Sequence, residues 1–328
     1  MTITTRSNTV QKVSTKICCL IVVAIASVTF FAFLAFAIFV LFFLTDSVRE
    51  PKGLRKAAEQ GNVEAQYELG SLHNNTSGGD KSEAEKWLRK AAEKGHREAQ
   101  YELGRLLHSW GRFPEKEIEA VKWFRKAAEQ EHRDAQYQLA LCYFDGRGVP
   151  QDQTQAVEWF RKAAEQGHIM AHWQLGEAYR NGTGVTQDVE KAMELLRKAA
   201  AASNNSPSLQ VRLGNYLFNG DGIPEDKVEA VEWFRKAATE AYRGRGFRDA
   251  QYLLGKCYFE GEGIAKDEGE AVKWFHRAAE NGYIEAMHQL GVCYSEGLGV
   301  SQDKEKAEEW FRKAEEERER WARLRERR

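Results

Sequence analysis

Three histidines, His96, His132 and His168, stand 36 residues apart, and His172 follows the last by one helical turn. Imidazoles at i and i+4 share a helix face, as zinc-binding pairs do. No third ligand accompanies this pair, and the glutamate of His-Glu-x-x-His is missing. The regular recurrence marks a structural position ahead of a helix, so His168 reads as a cap or surface residue and no metal is expected. Five cysteines offer thiol chemistry. Cys142, Cys257 and Cys293 hold equivalent positions in repeated segments, too far apart for the ~5.5–6 Å Cα separation of a disulfide. They read as core thiols. Glycine pairs such as Gly146-Arg147-Gly148 resemble phosphate loops, but they follow helical patterns where a phosphate loop follows a strand. No Gly-x-Ser-x-Gly elbow appears. The 48 basic and 49 acidic residues nearly cancel, which leaves no field for nucleic acid. The chain is expected to be no enzyme and to need no cofactor.

The chemistry left over is that of recognition, and repeated elements must carry it. The block Trp-Phe-Arg-Lys-Ala-Ala-Glu and its variants begin at Trp87, Trp123, Trp159, Leu195, Trp233, Trp274 and Trp310. The intervals are 36, 36, 36, 38, 41 and 36 residues, after a partial copy at Leu54–Glu59. Such a period marks a solenoid whose units bury their apolar faces against neighbours. A second block, Ala65-Gln66-Tyr67-Glu68-Leu69-Gly70, returns at Ala99, Ala135, Ala171, Ala250 and Ala286. Ala135, Leu139, Cys142 and Tyr143 follow i, i+4, i+7, i+8, and Ala156, Trp159, Phe160, Ala163 and Ala164 follow a similar rule. Both patterns are amphipathic helices. The alanines let backbones approach, while Trp and Phe are expected to fill the gaps between units.

Turn chemistry separates the two helices of a unit. Gly146-Arg147-Gly148-Val149, Gly182-Thr183-Gly184-Val185 and their counterparts at Gly220, Gly261 and Gly297 provide positive φ at a helix exit. Asp152, Asp188, Asp226, Asp267 and Asp303 then stand where N-caps belong, and Glu229 and Glu270 would complete capping boxes. The composite signature, Ala-x-x-x-Leu-Gly-x-x-Tyr, Gly-x-Gly-Val, Asp, then Ala-x-x-Trp-Phe-x-Lys-Ala-Ala, resembles the Sel-one-like repeat family of tetratricopeptide-like proteins. The likeness covers residues 51–316. It implies an all-α solenoid of about seven two-helix repeats, acting as a protein-binding adaptor or scaffold. Residues 74–79 and 109–114 replace the usual loop, and residues 201–208 and 242–247 also depart from the pattern, so irregular stacking is expected there. Some cysteine-rich relatives are credited with hydrolase-like activity; this chain lacks their disulfide framework.

A different segment precedes the repeats. Residues 17–44 contain no charge, glycine or proline. They exceed the ~20 residues that span a bilayer and the roughly 7–15 apolar residues of a cleaved signal peptide. The expected organisation is therefore a basic tail (1–16), a transmembrane helix (17–44), a linker (45–50), the solenoid (51–316) and a charged helical extension (317–328). Cys18 and Cys19 fall at the start of the span and suit apolar packing. Arg6, Lys12 and Lys16 favour a cytoplasmic N-terminus, which would put the repeats on the exoplasmic, periplasmic or lumenal side, although Arg49, Lys52, Arg55 and Lys56 weigh against it. Asn74, Asn75, Asn181 and Asn204 lie in glycosylation sequons.

The resemblance implies that the first helices line a groove. Aligned on the Leu-Gly pair, their varying positions hold Tyr101, Arg105 and His108; Tyr137; Trp173, Glu177 and Arg180; and Tyr252 and Lys256. Aromatics with arginine suit a protein or peptide hot spot. The same aromatics could equally complete the core between repeats.

Overall fold

The computed structural model describes residues 50–111, 113–203, 207–239 and 247–326. The basic tail, the apolar run 17–44 with Cys18 and Cys19, Asn204 and residues 242–246 lie outside them. Among the described residues there are fifteen α-helices and no strand, and no helix is long and apolar enough to cross a membrane. The chain forms two compact units, divided after Leu106. The first holds α1 (Leu54–Glu59), α2 (Val63–Asn75), α3 (Lys81–Glu93) and most of α4 (Arg97–His108). The second continues with α5 (Pro114–Glu129), α6 (Arg133–Asp145), α7 (Gln153–Glu165), α8 (Ile169–Asn181), α9 (Val189–Ala202) and α10 (Pro207–Asn219). It closes with α11 (Lys227–Thr239), α12 (Arg248–Glu260), α13 (Glu268–Glu280), α14 (Ile284–Glu296) and α15 (Lys304–Glu326). From α5 onward each helix packs on the next, as the solenoid pattern requires.

The turns behave as their residues dictate. Gly146, Gly182, Gly261 and Gly297 end helices in the left-handed region at φ 73, 69, 75 and 77°. The second glycine has another reason. A Cβ on Gly184 would lie 2.2 Å from the Gln153 carbonyl oxygen, and one on Gly299 2.2 Å from that of Glu268. The loop thus presses on the start of the preceding unit's second helix. Gly222 breaks the rule by abutting the Arg180 side chain at 3.0 Å.

The aspartates cap as expected: Asp152, Asp226, Asp267 and Asp303 accept the amides of Gln155, Glu229, Glu270 and Lys306 at 2.9–3.0 Å. The capping boxes do not close. The amides of Asp226 and Asp267 donate to the Leu217 and Tyr258 carbonyls of the preceding helix. Glu229 instead holds Arg197 at 2.6 Å and the Trp233 indole N–H at 3.1 Å. Tertiary partners outcompete the local one.

Packing divides the Trp-Phe pair. Phe160, Phe234 and Phe275 are each at most 1% exposed. A Cβ on Gly214 or Gly255 would meet the Phe234 or Phe275 ring at 2.5 or 2.7 Å, which is why the Leu-Gly glycine is needed. Trp159 is only partly buried, with Lys162 4.0 Å over its ring. Lys90, Lys126 and Lys313 cover Trp87, Trp123 and Trp310 in the same way at 4.2–4.3 Å. Trp87, Trp123 and Trp274 are themselves buried at 2, 7 and 9% exposure, so tryptophan joins phenylalanine in the core of some units and lies at its edge in others. The glutamine after the motif's alanine ties one helix to the last. Gln66, Gln100 and Gln136 donate to the carbonyls of Ala58, Ala92 and Ala128 at 2.9–3.2 Å. Each satisfies an orphan acceptor at the end of the previous helix.

A candidate protein-binding surface

The three recurring histidines are structural. Nδ1 of His96, His132 and His168 accepts the amide of Ala99, Ala135 and Ala171 at 3.1–3.2 Å, capping α4, α6 and α8. Burial pushes the His168 imidazole below its ordinary value despite the opposing pull of Asp134, which keeps the capping nitrogen unprotonated. The His172 Nδ1 lies 3.2 Å from the His168 carbonyl, and among the described residues no group of three His, Cys, Asp or Glu could hold a metal ion. Cys142, Cys257 and Cys293 are buried and free, and desolvation raises their thiols to about 12, 12 and 11.

The candidate residues fall into separate groups. In the first unit, the Arg105 guanidinium lies 5.7 Å from the Tyr101 ring centroid and donates to Glu102 at 2.9 Å. In the second, His108 faces Glu117 at 3.4 Å and meets the Phe124 ring edge-on at 6.3 Å. Tyr137 stacks on His168 with centroids 4.2 Å apart, and Tyr252 packs on Tyr283 at 5.0 Å. These half-buried tyrosines belong to the contact between successive repeats as well as to the surface. Lys256 stays accessible, 3.6 Å from Glu260.

Trp173, Glu177 and Arg180 do come together, but inward. Trp173 is 1% exposed, so it is a core residue and no surface anchor. It stacks on Tyr216 at 6.0 Å, with the Arg212 guanidinium 4.7 Å from its ring. Arg180 donates to Glu177 and to the Asp221 carbonyl, both at 2.8 Å, and lies 4.4 Å over Tyr216. This clamp bridges α8, α10 and the loop after α10, at the junction where Gly222 loses its usual backbone contact. Arg212, Tyr216 and Asp221 were not legible as parts of it, because the copy containing them is the most divergent. Within the second unit Phe144, Lys256 and His288 stay accessible on corresponding faces of α6, α12 and α14, and in the first unit Arg105 is exposed.

A further cleft of about 740 Å³ lies where Arg248, Tyr252, Tyr283 and His288 face Arg318 and Trp321 of the C-terminal helix. Tyr252 is the one residue read from the sequence that reaches it. Burial, then Glu285 and Asp249, push the Tyr283 phenol up to about 12. The signal for this cleft was present in the spacing of Arg318, Trp321, Ala322 and Arg325, whose charges masked it.

The Sel1 repeat profile matches residues 54–62, 63–96, 97–132, 133–168, 169–204, 207–242, 248–283 and 284–317. No curated protein matches the chain. Among solved structures, c5321, a protective antigen present in uropathogenic Escherichia coli strains and displaying an SLR fold, is 34% identical with a TM-score of 0.69. That match covers 81% of this chain and 56% of the antigen, so the chain spans little more than half its relative's length. A Sel1 repeat protein from Oxalobacter formigenes is 31% identical over 78% of this chain and 99% of its own, with a TM-score of 0.56. Sel1 repeats commonly mediate protein–protein interaction, generally as non-enzymatic scaffolds. The matched segments follow the helix pairs and their glycine turns, and the chain belongs to the Sel1 repeat family.

Proposed function

We propose that this chain is a membrane-anchored, non-enzymatic scaffold that recruits a protein through the first-helix face of its repeats. One observation carries the reading. Packing positions repeat from unit to unit, whereas the residue after the Leu-Gly pair (Leu-Ala in one copy) changes chemistry: Arg105, Leu141, Glu177, Asn215, Lys256 and Val292. A face free to vary while its scaffold repeats suits recognition of a specific partner. The capped histidines and buried thiols favour a non-enzymatic role, because neither set offers a reactive group to a substrate. The charge-free run 17–44 supports anchoring, and the basic residues before it support repeats on the far side of the membrane.

Alkaline carbonate extraction of native membranes tests the anchor: the full chain stays with the bilayer, and its release would end that part of the proposal. Proximity labelling from a C-terminal tag tests recruitment. Arg105→Ala with Lys256→Ala is expected to remove particular partners while leaving the unfolding midpoint within about 0.5 kcal/mol of the parent, as for surface changes generally. An unchanged partner set would count against the face.

A further inference from the structure

The C-terminal helix outruns its repeat. Ala314 is its last buried residue, and every side chain from Arg318 to Glu326 is exposed. Yet Arg318, Trp321, Ala322 and Arg325 stand at i, i+3, i+4 and i+7, which places them on one face. All four line the cleft opposite Arg248, Tyr252 and Tyr283. Trp321 is 42% exposed, so this stripe lacks a partner that would cover it.

The charge of the cleft is one-sided. Its lining holds Arg248, Arg318 and Arg325, together with His288, against the single carboxylate of Glu285. Nearby acids are partly engaged: Asp249 lies 3.8 Å from Arg248, Glu317 pairs with Arg320 at 3.4 Å, and Glu315 pairs with Arg318. Apolar contact comes from Trp321 and from the Tyr252–Tyr283 pair on the facing wall. We propose that this cleft docks an acidic peptide segment of a partner protein, with carboxylates on the arginines and an apolar side chain between Trp321 and Tyr252. Arginine binds carboxylates through paired N–H groups, and tryptophan, tyrosine and arginine are the residues that dominate such sites. A concave cleft closed by two walls fits a chain segment better than the flat surface of a bilayer. The proposal rests on the scaffold reading and narrows it to one end of the repeats and one class of ligand.

The test is fluorescence anisotropy of the detergent-solubilised full-length chain with a labelled Glu-Glu-Phe-Glu-Glu-Phe-Glu-Glu peptide. Gln-for-Glu and Lys-for-Glu versions serve as comparisons. The Glu peptide binds, weakens with added salt, and is about tenfold or more tighter than the Gln version; the Lys version does not bind. Trp321→Ala and the double change Arg318→Glu with Arg325→Glu each lower affinity about tenfold or more. Arg320→Glu, which does not line the cleft, leaves it unchanged. All these side chains are exposed, and an unaltered circular-dichroism melt confirms that the variants fold. Equal binding of Glu and Lys peptides, no binding of either, or equal loss with Arg320→Glu overturns the proposal. So does binding to phosphatidylserine vesicles that the Trp321 and arginine changes abolish while the peptide is ignored. Failure here with first-helix partner capture intact removes only this cleft; loss of both removes the scaffold reading.

Discussion

At the scale of single residues, side chains that suggest catalysis are occupied by architecture. His168 both caps α8 and stacks under Tyr137, which requires a neutral ring. Its folded value lies below the ordinary 6.5, as does that of His172, so the unfolded chain takes up protons more readily. The stability they contribute is present above pH 6.5 and is lost as pH falls below it. Denaturation midpoints measured from pH 7.5 to 5 should decline, and His168→Asn should flatten part of that slope. Asn62 already performs the capping role in the first unit, at 2.9 Å. An unaltered slope in the variant would contradict the assignment. Packing makes a second prediction: Phe160→Ala costs about 3–5 kcal/mol in urea denaturation, and Trp159→Ala distinctly less. The reverse order would contradict that packing. From the sequence the two aromatics looked equivalent; only the small Ala140 in the core with one and the lysine over the other separate them.

Among the helices and turns, start and stop signals explain most boundaries. Asp267→Ala should cost about 0.5–2 kcal/mol, the worth of an N-cap. Glu270→Ala should cost far less, because its carboxylate closes no capping box and pairs only with Lys273 at 3.3 Å. Equal losses in thermal melts would show that the box forms in solution. The caps, the left-handed glycines and the helix pairs were all legible, because each depends on residues within one turn of one another. The failed boxes, the glutamine-to-carbonyl bonds and the Trp173–Arg212–Tyr216 clamp were not. Each joins groups from different repeats, and a pattern read along the chain does not state which distant carbonyl a side chain will meet. The second glycine shows the same limit: its place in a turn was evident, but its pressure on the neighbouring helix was not.

Across the whole molecule, repetition separates scaffold from message. Alanines, Leu-Gly pairs and phenylalanines recur because each unit must fit the next, while the residue after the Leu-Gly pair changes from copy to copy. The period made the solenoid readable from the sequence. Which candidate residues stay accessible depended on stacking: Trp173 was lost to the core, whereas Lys256 remained outside. The most direct test of the scaffold reading puts a photo-crosslinking amino acid at Lys256 in the full chain inside the cells that make it. Lys273, whose side chain is 71% exposed on a second helix, is the control. Crosslinking to a discrete protein from position 256 and none from 273 is the predicted result. Equal crosslinking from both positions, or none from 256, would contradict recruitment through the first-helix face.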